Sequence, residues 1–64
     1  MPIITVTMGK TNVENKKALI EKLTAAAVEV TKHPASAFTV FIEELELDNI
    51  GVGGQTLTER FANK

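Results

Sequence analysis

Two short segments rich in β-branched and aromatic residues, separated by one long amphipathic segment, constrain the fold of this 64-residue chain. Residues 3–8 read IITVTM and residues 38–43 read FTVFIE, with apolar side chains at both odd and even positions. Each predicted strand therefore has two apolar faces to bury, whereas one helix covers only one face of a sheet. We expect a second subunit to cover the other face, which includes Ile3 and Phe41.

The middle segment predicts a helix of roughly 18–20 residues, about 28 Å long. Thr11-Asn12-Val13-Glu14 has the spacing of a capping box, so the helix is expected to begin there with Thr11 as its N-cap. Pro34 disfavours helical geometry at the residue before it, which ends the helix near Thr31 or Lys32. The predicted apolar stripe contains Leu19, Ile20, Leu23, Ala26, Ala27 and Val30.

A helix of this length returns the chain to the start of the sheet, so the two strands are expected to pair in parallel through a right-handed crossover. The predicted fold class is α+β, a single β-α-β domain over residues 1–64 with a short C-terminal glycine-rich hairpin. The segment Ile50-Gly51-Val52-Gly53-Gly54 lacks the spacing of a nucleotide-binding loop, and its glycines favour a tight turn. Residues 56–64 are expected to form a final helical turn or a frayed end.

Composition excludes several classes of protein. The chain has no cysteine and a single histidine, His33, so neither a disulfide framework nor an ordinary zinc site is expected. A net charge of −1 and only three aromatic residues argue against nucleic-acid binding. No apolar run has the roughly 20 residues of a membrane span, and no signal peptide is recognised. We expect a cytoplasmic protein whose small core is supplemented by self-association.

Pro2 follows Met1 directly and precedes the first strand. Removal of Met1 would leave a proline amine at the start of that strand. An α-amino group titrates near 7.7–8.0, and burial favours its neutral form, so such an amine is a suitable general base. A proline at this position is equally suited to begin an edge strand, where its missing N–H costs nothing. Position alone leaves both interpretations open.

Five segments, in this order and spacing, carry a family resemblance: Met1-Pro2, Gly9-Lys10-Thr11, residues 14–20, residues 39–42 and residues 49–54. Together they resemble the 4-oxalocrotonate tautomerase family. The resemblance implies β-α-β subunits assembled as a homohexamer, and a processed amino-terminal proline that moves a proton between oxygen and carbon of an enol or dienol acid. It identifies Pro2 as the catalytic residue of a cofactor-independent isomerase that binds a small enol or keto acid and no metal.

The chain departs from the family pattern at three positions, which the resemblance identifies as substrate-binding. Thr39 stands where the family has an arginine that polarises the substrate carbonyl, and Ile50 stands where it has a bulky aromatic residue. Lys10 matches a second arginine by motif order, although the segment is one residue shorter. Lysine lacks the two-pronged geometry of arginine, so we expect a different or less demanding substrate than 2-hydroxymuconate.

Several assignments remain open from the sequence. The enolate could be stabilised by one of four groups: the Thr39 hydroxyl, Lys10, backbone N–H groups or Arg60 of a neighbouring chain. Hydration or dehalogenation of an unsaturated acid would need a carboxylate such as Glu43 or Glu44 to activate water. A non-catalytic oligomeric scaffold is a third possibility. The acidic residues 43–46 are interpreted as a solvated strand end, and His33 is assigned to the surface.

Overall fold

A computed structural model describes residues 1–62 of the chain. Strand β1 (Ile3–Gly9) and strand β2 (Thr39–Leu45) pair in parallel, with helix α1 (Val13–Thr31) between them in sequence. The register runs from Ile3 opposite Thr39 to Gly9 opposite Leu45. The predicted β-α-β unit is confirmed. β2 extends two residues past its predicted end because Glu44 and Leu45 continue the pairing with β1.

Helix α1 begins at a different cap from the predicted one. Asn12 has extended backbone angles, and its side chain accepts a hydrogen bond of 2.7 Å from the backbone N–H of Asn15. The predicted N-cap, Thr11, is therefore wrong by one residue, and its hydroxyl accepts instead from the Asn15 side-chain amide at 2.9 Å. The Thr11 backbone N–H donates to the Glu44 carboxylate at 2.8 Å, which ties Thr11 to β2.

The end of α1 agrees with the prediction. The helix ends at Thr31, and Lys32 adopts a left-handed conformation (φ 65°) with its N–H donating to the Val28 carbonyl at 2.9 Å. This is a common way to satisfy the last carbonyls of a helix. A short 3₁₀ turn (Ala35–Ala37) then leads into β2. No helix within residues 1–62 is long and apolar enough to cross a membrane.

The apolar stripe of α1 is narrower than predicted. Leu19, Leu23 and Ala27 are half-buried, whereas Ile20 is 40% exposed and Val30 is 81% exposed. The half-buried residues of this face follow steps of three and four along the helix, at Lys16, Leu19, Leu23 and Ala27. Ile20 and Val30 lie outside this face. The prediction that all six apolar residues share one buried stripe is therefore wrong for an isolated subunit.

The sheet has one covered face and one open face. Half-buried side chains alternate with exposed ones along β1, and the half-buried ones are Ile4, Val6 and Met8. On the opposite face Ile3 is 56% exposed and Phe41 is 55% exposed. The expectation that one helix leaves these two apolar side chains uncovered is confirmed within the chain.

The C-terminal segment forms the predicted glycine-rich hairpin. Strands β3 (Gly51–Val52) and β4 (Gln55–Thr56) pair antiparallel around Gly53 and Gly54, which have φ of 62° and 85°. Two consecutive positive φ angles define a type I′ turn, which glycine adopts without strain. Helix α2 (Leu57–Ala62) follows, and its part of the predicted helical turn is confirmed. The last two residues of the chain lie outside the described part.

A capping box that the sequence analysis missed begins α2. The Thr56 hydroxyl accepts from the Glu59 backbone N–H at 3.1 Å, and the Glu59 carboxylate accepts from the Thr56 backbone N–H at 3.1 Å. The reciprocal pair satisfies two of the unpaired donors at the helix start. The spacing Thr56-Leu57-Thr58-Glu59 was the available signal.

The subunit is too extended to bury a core by itself. Its radius of gyration is 15.3 Å, whereas a compact chain of this length has about 11 Å. Its accessible surface is 4897 Å², whereas a folded monomer of this mass exposes about 4,000 Å². No side chain within residues 1–62 is fully buried. The excess surface is comparable to the roughly 800 Å² that one partner contributes to a stable protein interface.

Candidate active site

Pro2 lies at the head of β1 and is half-buried. Its carbonyl accepts a hydrogen bond of 3.1 Å from the backbone N–H of Thr39, the first residue of β2. The parallel register causes this contact, because it aligns the amino ends of the two strands. The structure therefore brings together two of the predicted site residues, Pro2 and Thr39.

The surroundings of this pair on the open face of the sheet are apolar. Ile3 is the register partner of Thr39, and Phe41 follows two positions along β2, so these three side chains point to the same face. Ile3 and Phe41 are more than half exposed, and Thr39 is half-buried. An amine at Pro2 would lie at the strand end next to this uncharged surface, although Pro2 itself, one position before Ile3, alternates to the helix-covered face.

Lys10 lies at the other end of β1. Seven residues of extended strand separate it from Pro2, so the two residues lie about 26 Å apart. The Lys10 ammonium is 2.5 Å from the Glu46 carboxylate, and both side chains are exposed. The hydrogen bond that Lys10 donates to Glu46, together with the charge of that carboxylate, raises the pKa of Lys10 above its ordinary value. Lys10 therefore remains a cation, and Glu46 neutralises its charge.

The position of Glu46 follows from the register. Gly9 pairs with Leu45, so the next residues of the two strands, Lys10 and Glu46, leave the sheet side by side. They border an open cleft of about 350 Å³ that Gly9, Leu45 and Leu47 also line. The sequence analysis missed this ion pair, because it predicted parallel pairing without a register.

Glu44 fixes the connection between β1 and α1. Its carboxylate accepts from the Thr11 backbone N–H at 2.8 Å and from the Lys16 ammonium at 2.9 Å. The bond from Thr11, followed by that from Lys16, lowers the pKa of Glu44 below its ordinary value. Glu44 is thus an anionic anchor for the start of α1.

The interpretation of residues 43–46 as a solvated strand end holds for Glu43 and Glu46, which are exposed, and is wrong for Glu44, which is half-buried. Glu44 and Glu46 form ion pairs, and Glu43 accepts a hydrogen bond of 3.2 Å from the Thr7 hydroxyl. A hydratase or dehalogenase reaction would need one of these carboxylates free to activate water. Glu43 and Glu44 both lie toward the carboxyl end of β2, away from Pro2.

Ile50 lies beyond the carboxyl end of β2, after a 3₁₀ turn (Leu47–Asn49). It is half-buried, and its carbonyl accepts from the Leu57 backbone N–H at 2.8 Å. This bond fastens the start of α2 to the base of the hairpin. One subunit therefore places Ile50 and Lys10 toward one end of the sheet and the pair Pro2 and Thr39 at the other.

The remaining candidate residues are on the surface. Arg60 is exposed on α2, and His33 is exposed between α1 and the following 3₁₀ turn, as predicted for His33. Within residues 1–62, no three histidine, cysteine, aspartate or glutamate side chains are grouped so that they could hold a metal ion.

Comparison with known proteins identifies the family. The family model described as "Tautomerase enzyme" matches residues 2–60. The chain belongs to the tautomerase family. A probable tautomerase of Bacillus cereus is 47% identical over 62 residues, covering 94% of this chain and all of that protein. The 2-hydroxymuconate tautomerase of Bacillus subtilis is 41% identical over 61 residues, covering 92% of this chain and 97% of that protein.

A solved structure supports the same relationship at the level of the fold. The chain is similar to TomN, a 4-oxalocrotonate tautomerase homologue in the tomaymycin biosynthetic pathway, with a TM-score of 0.91 and 39% identity. The similarity covers 95% of each chain. The resemblance to 4-oxalocrotonate tautomerases that the sequence motifs indicated is confirmed, and so is the fold class.

Proposed function

We propose that this member of the tautomerase family is a cofactor-independent keto-enol tautomerase in which the nitrogen of Pro2, freed by removal of Met1, is the general base. The observation that carries the proposal is the position of Pro2, half-buried at the head of β1 beside the uncharged Thr39. While Met1 is attached, the Pro2 nitrogen is an amide whose lone pair is delocalised into a carbonyl. Loss of Met1, which is 90% exposed, converts it into a secondary amine.

The proposed reaction moves one proton. The lone pair of the neutral Pro2 amine takes the proton of the enol hydroxyl, and the O–H electrons form the new carbonyl bond. The displaced π electrons of the conjugated chain then take a proton from the Pro2 ammonium at a carbon atom. The amine is regenerated and nothing is oxidised or reduced, so the proposed steps require no cofactor.

The developing enolate needs a hydrogen-bond donor. Thr39 offers its hydroxyl, since its backbone N–H is already bonded to Pro2. Lys10 offers a positive charge, although within one subunit it lies about 26 Å from Pro2. We propose that a neighbouring subunit supplies Lys10, and that Ile50 excludes water from the same shared pocket. Arg60 of another chain is the alternative cation.

We further propose that the 64 residues form a single domain of a cytoplasmic homohexamer. The support is the open sheet face with Ile3 and Phe41, the large radius of gyration and the excess accessible surface. Phe41→Asp would place a charge in the buried interface, at a cost of several kcal/mol that dissociation relieves. Sedimentation equilibrium of the unmodified chain and of Phe41→Asp measures this. A folded monomer of the unmodified chain at micromolar concentration would contradict the assembly.

Covalent labelling tests the proposed base. An acetylenic keto acid is attacked at its triple bond by a neutral amine, whose proton moves to the adjacent carbon, so the adduct has the summed mass of protein and reagent. The lysine ammonium groups are protonated near neutral pH and react slowly. We expect one adduct on Pro2 and complete loss of enol-acid turnover.

The matched control is a form with an uncleaved amino-terminal extension, in which the Pro2 nitrogen remains an amide. This form should neither be labelled at Pro2 nor turn over an enol acid. A processed chain that is inert toward both reagents would support the scaffold interpretation. Full turnover with Met1 retained, as measured by intact mass, would show that Pro2 is not the base.

A further inference from the structure

We infer that the substrate of the proposed site carries one carboxylate and an uncharged far end, unlike a dicarboxylate such as 2-hydroxymuconate. This inference rests on the proposed function and extends it by naming the substrate class. The charges at the two ends of the parallel sheet carry it.

The strand residues beside Pro2 provide no cation to a second carboxylate. Thr39 is uncharged, and its backbone N–H is already donated to the Pro2 carbonyl at 3.1 Å. The neighbouring side chains on the same face, Ile3 and Phe41, are apolar. A carboxylate placed here loses water and gains at most one hydroxyl hydrogen bond, which favours an uncharged substrate end instead.

The cation proposed for the site, Lys10 at the other end of the sheet, is already paired. The Lys10 ammonium contacts the Glu46 carboxylate of its own chain at 2.5 Å. An exposed ion pair of this kind adds little to stability. Its consequence for binding is larger, because a substrate carboxylate must compete with Glu46 for Lys10. One partly neutralised lysine is sufficient for a single carboxylate and insufficient for two.

The nearby cation that could reinforce Lys10 is also engaged. The Lys16 ammonium, 32% exposed, bonds to Glu44 at 2.9 Å, and Glu44 in turn holds the Thr11 backbone. Release of Lys16 to a substrate would remove one of the two bonds through which Glu44 holds the start of α1, leaving only that from Thr11. Lys10 and Lys16 are each opposed by a glutamate, and Glu43 adds a further carboxylate at this end of the sheet, so the described charges there do not favour a second substrate carboxylate.

A pair of substrates that differ in one carboxylate tests the inference. We would measure kcat/KM of the processed chain for 2-hydroxymuconate and for 2-hydroxy-2,4-pentadienoate, which lacks the distal carboxylate. The monocarboxylate should be favoured by about tenfold or more, the equivalent of one missing charge-assisted hydrogen bond. Its kcat/KM should also vary little with ionic strength.

Glu46→Gln tests the role of the ion pair. Glu46 is 61% exposed at its side chain, so the substitution leaves the fold intact while it frees the charge of Lys10. We expect kcat/KM for the dicarboxylate to rise several-fold more than that for the monocarboxylate, and to become sensitive to salt. Glu21→Gln, an equal change of charge at an exposed position halfway along α1, is the control and should leave the substrate ratio unchanged.

The outcomes distinguish failure of the substrate inference from failure of the proposed function. Preference for the dicarboxylate, in an activity that blocking of the Pro2 amine abolishes, would overturn the inference and leave the proposed function intact. An equal shift of the substrate ratio in Glu46→Gln and Glu21→Gln would overturn the role of the ion pair. Turnover of neither substrate by the processed chain would overturn the proposed function and the inference together.

Discussion

The two ends of the parallel sheet differ in what they offer to a substrate. At the amino ends of the strands, Pro2 and Thr39 are joined by a backbone hydrogen bond and carry no ionisable side chain. At the carboxyl ends, Lys10 and Lys16 are each paired with a glutamate. The candidate base and the candidate cations are thus at opposite ends of one subunit. Under the proposed function, a complete site therefore forms only where the amino end of one subunit meets the carboxyl end of another.

The largest expected effect is at the amino end. Pro2→Ala replaces the secondary amine by a primary one in nearly the same place, and we expect kcat/KM with an enol acid to fall by about 10²–10⁴ without vanishing. The wild-type activity should rise with pH as the ammonium loses its proton. Pro34→Ala removes the other proline of the chain and is the control. Equal losses of kcat/KM in Pro2→Ala and Pro34→Ala would show that the amino end of the sheet has no special role in the reaction.

A charge added to the amino end should make the two ends more alike. Thr39→Arg places a guanidinium beside Pro2, where it can bind a carboxylate and polarise a carbonyl. We expect kcat/KM for 2-hydroxymuconate to rise by about 10- to 150-fold, the equivalent of 1.5–3 kcal/mol for one charge-assisted contact. Thr39→Gln, which is uncharged, should show no such gain. If the unmodified chain already turns over this substrate efficiently and arginine adds nothing, another group already fills that role.

Mixed oligomers test whether the two ends meet between subunits. Pro2→Ala and Lys10→Ala chains, refolded together, should assemble at random, so that about one site in four contains an intact Pro2 and an intact Lys10 from different chains. Activity of the mixture should therefore exceed the mean of the two separate variants several-fold. Simple additivity of the two activities would show that each site draws both residues from one chain.

The smallest expected effect concerns stability at the carboxyl end. The hydrogen bonds from Thr11 and Lys16 lower the pKa of Glu44, so its stabilising contribution is present above the ordinary carboxyl pKa and is lost as the pH falls through the lowered value. Glu44→Gln should reduce Tm at neutral pH and flatten the dependence of Tm on pH below about 4.5. Glu43→Gln is the control, because that carboxylate contacts only a hydroxyl among the described hydrogen bonds. Identical acid profiles for both variants would contradict the anchoring role of Glu44.

The spacing of apolar residues and the positions of proline and glycine were sufficient to predict the main helix and strands of the fold. Alternation in residues 3–8 and Pro34 after the helix placed β1 and the end of α1 correctly, because these signals act locally. The predicted N-cap was wrong by one residue, and the backbone N–H of Thr11 is bound by a carboxylate 33 positions away in sequence, that of Glu44. Local patterns do not contain such a contact.

The candidate site was only partly predictable for the same reason. Pro2 could be singled out from its place in the chain, but its contact with Thr39 depends on the register of the sheet. The pairing of Lys10 with Glu46 depends on the same register. The width of the helical stripe depends on what covers α1, which a single sequence does not specify.

The hydrogen bond from the Thr39 N–H to the Pro2 carbonyl has a consequence for how the proposed base is held. A nitrogen in the main chain has no rotamers to explore, so its position is set by the strand that follows it. Most general bases are side chains that lose conformational entropy when they are ordered for reaction. Here the sheet itself would perform that ordering during folding, and the base would meet each substrate already oriented.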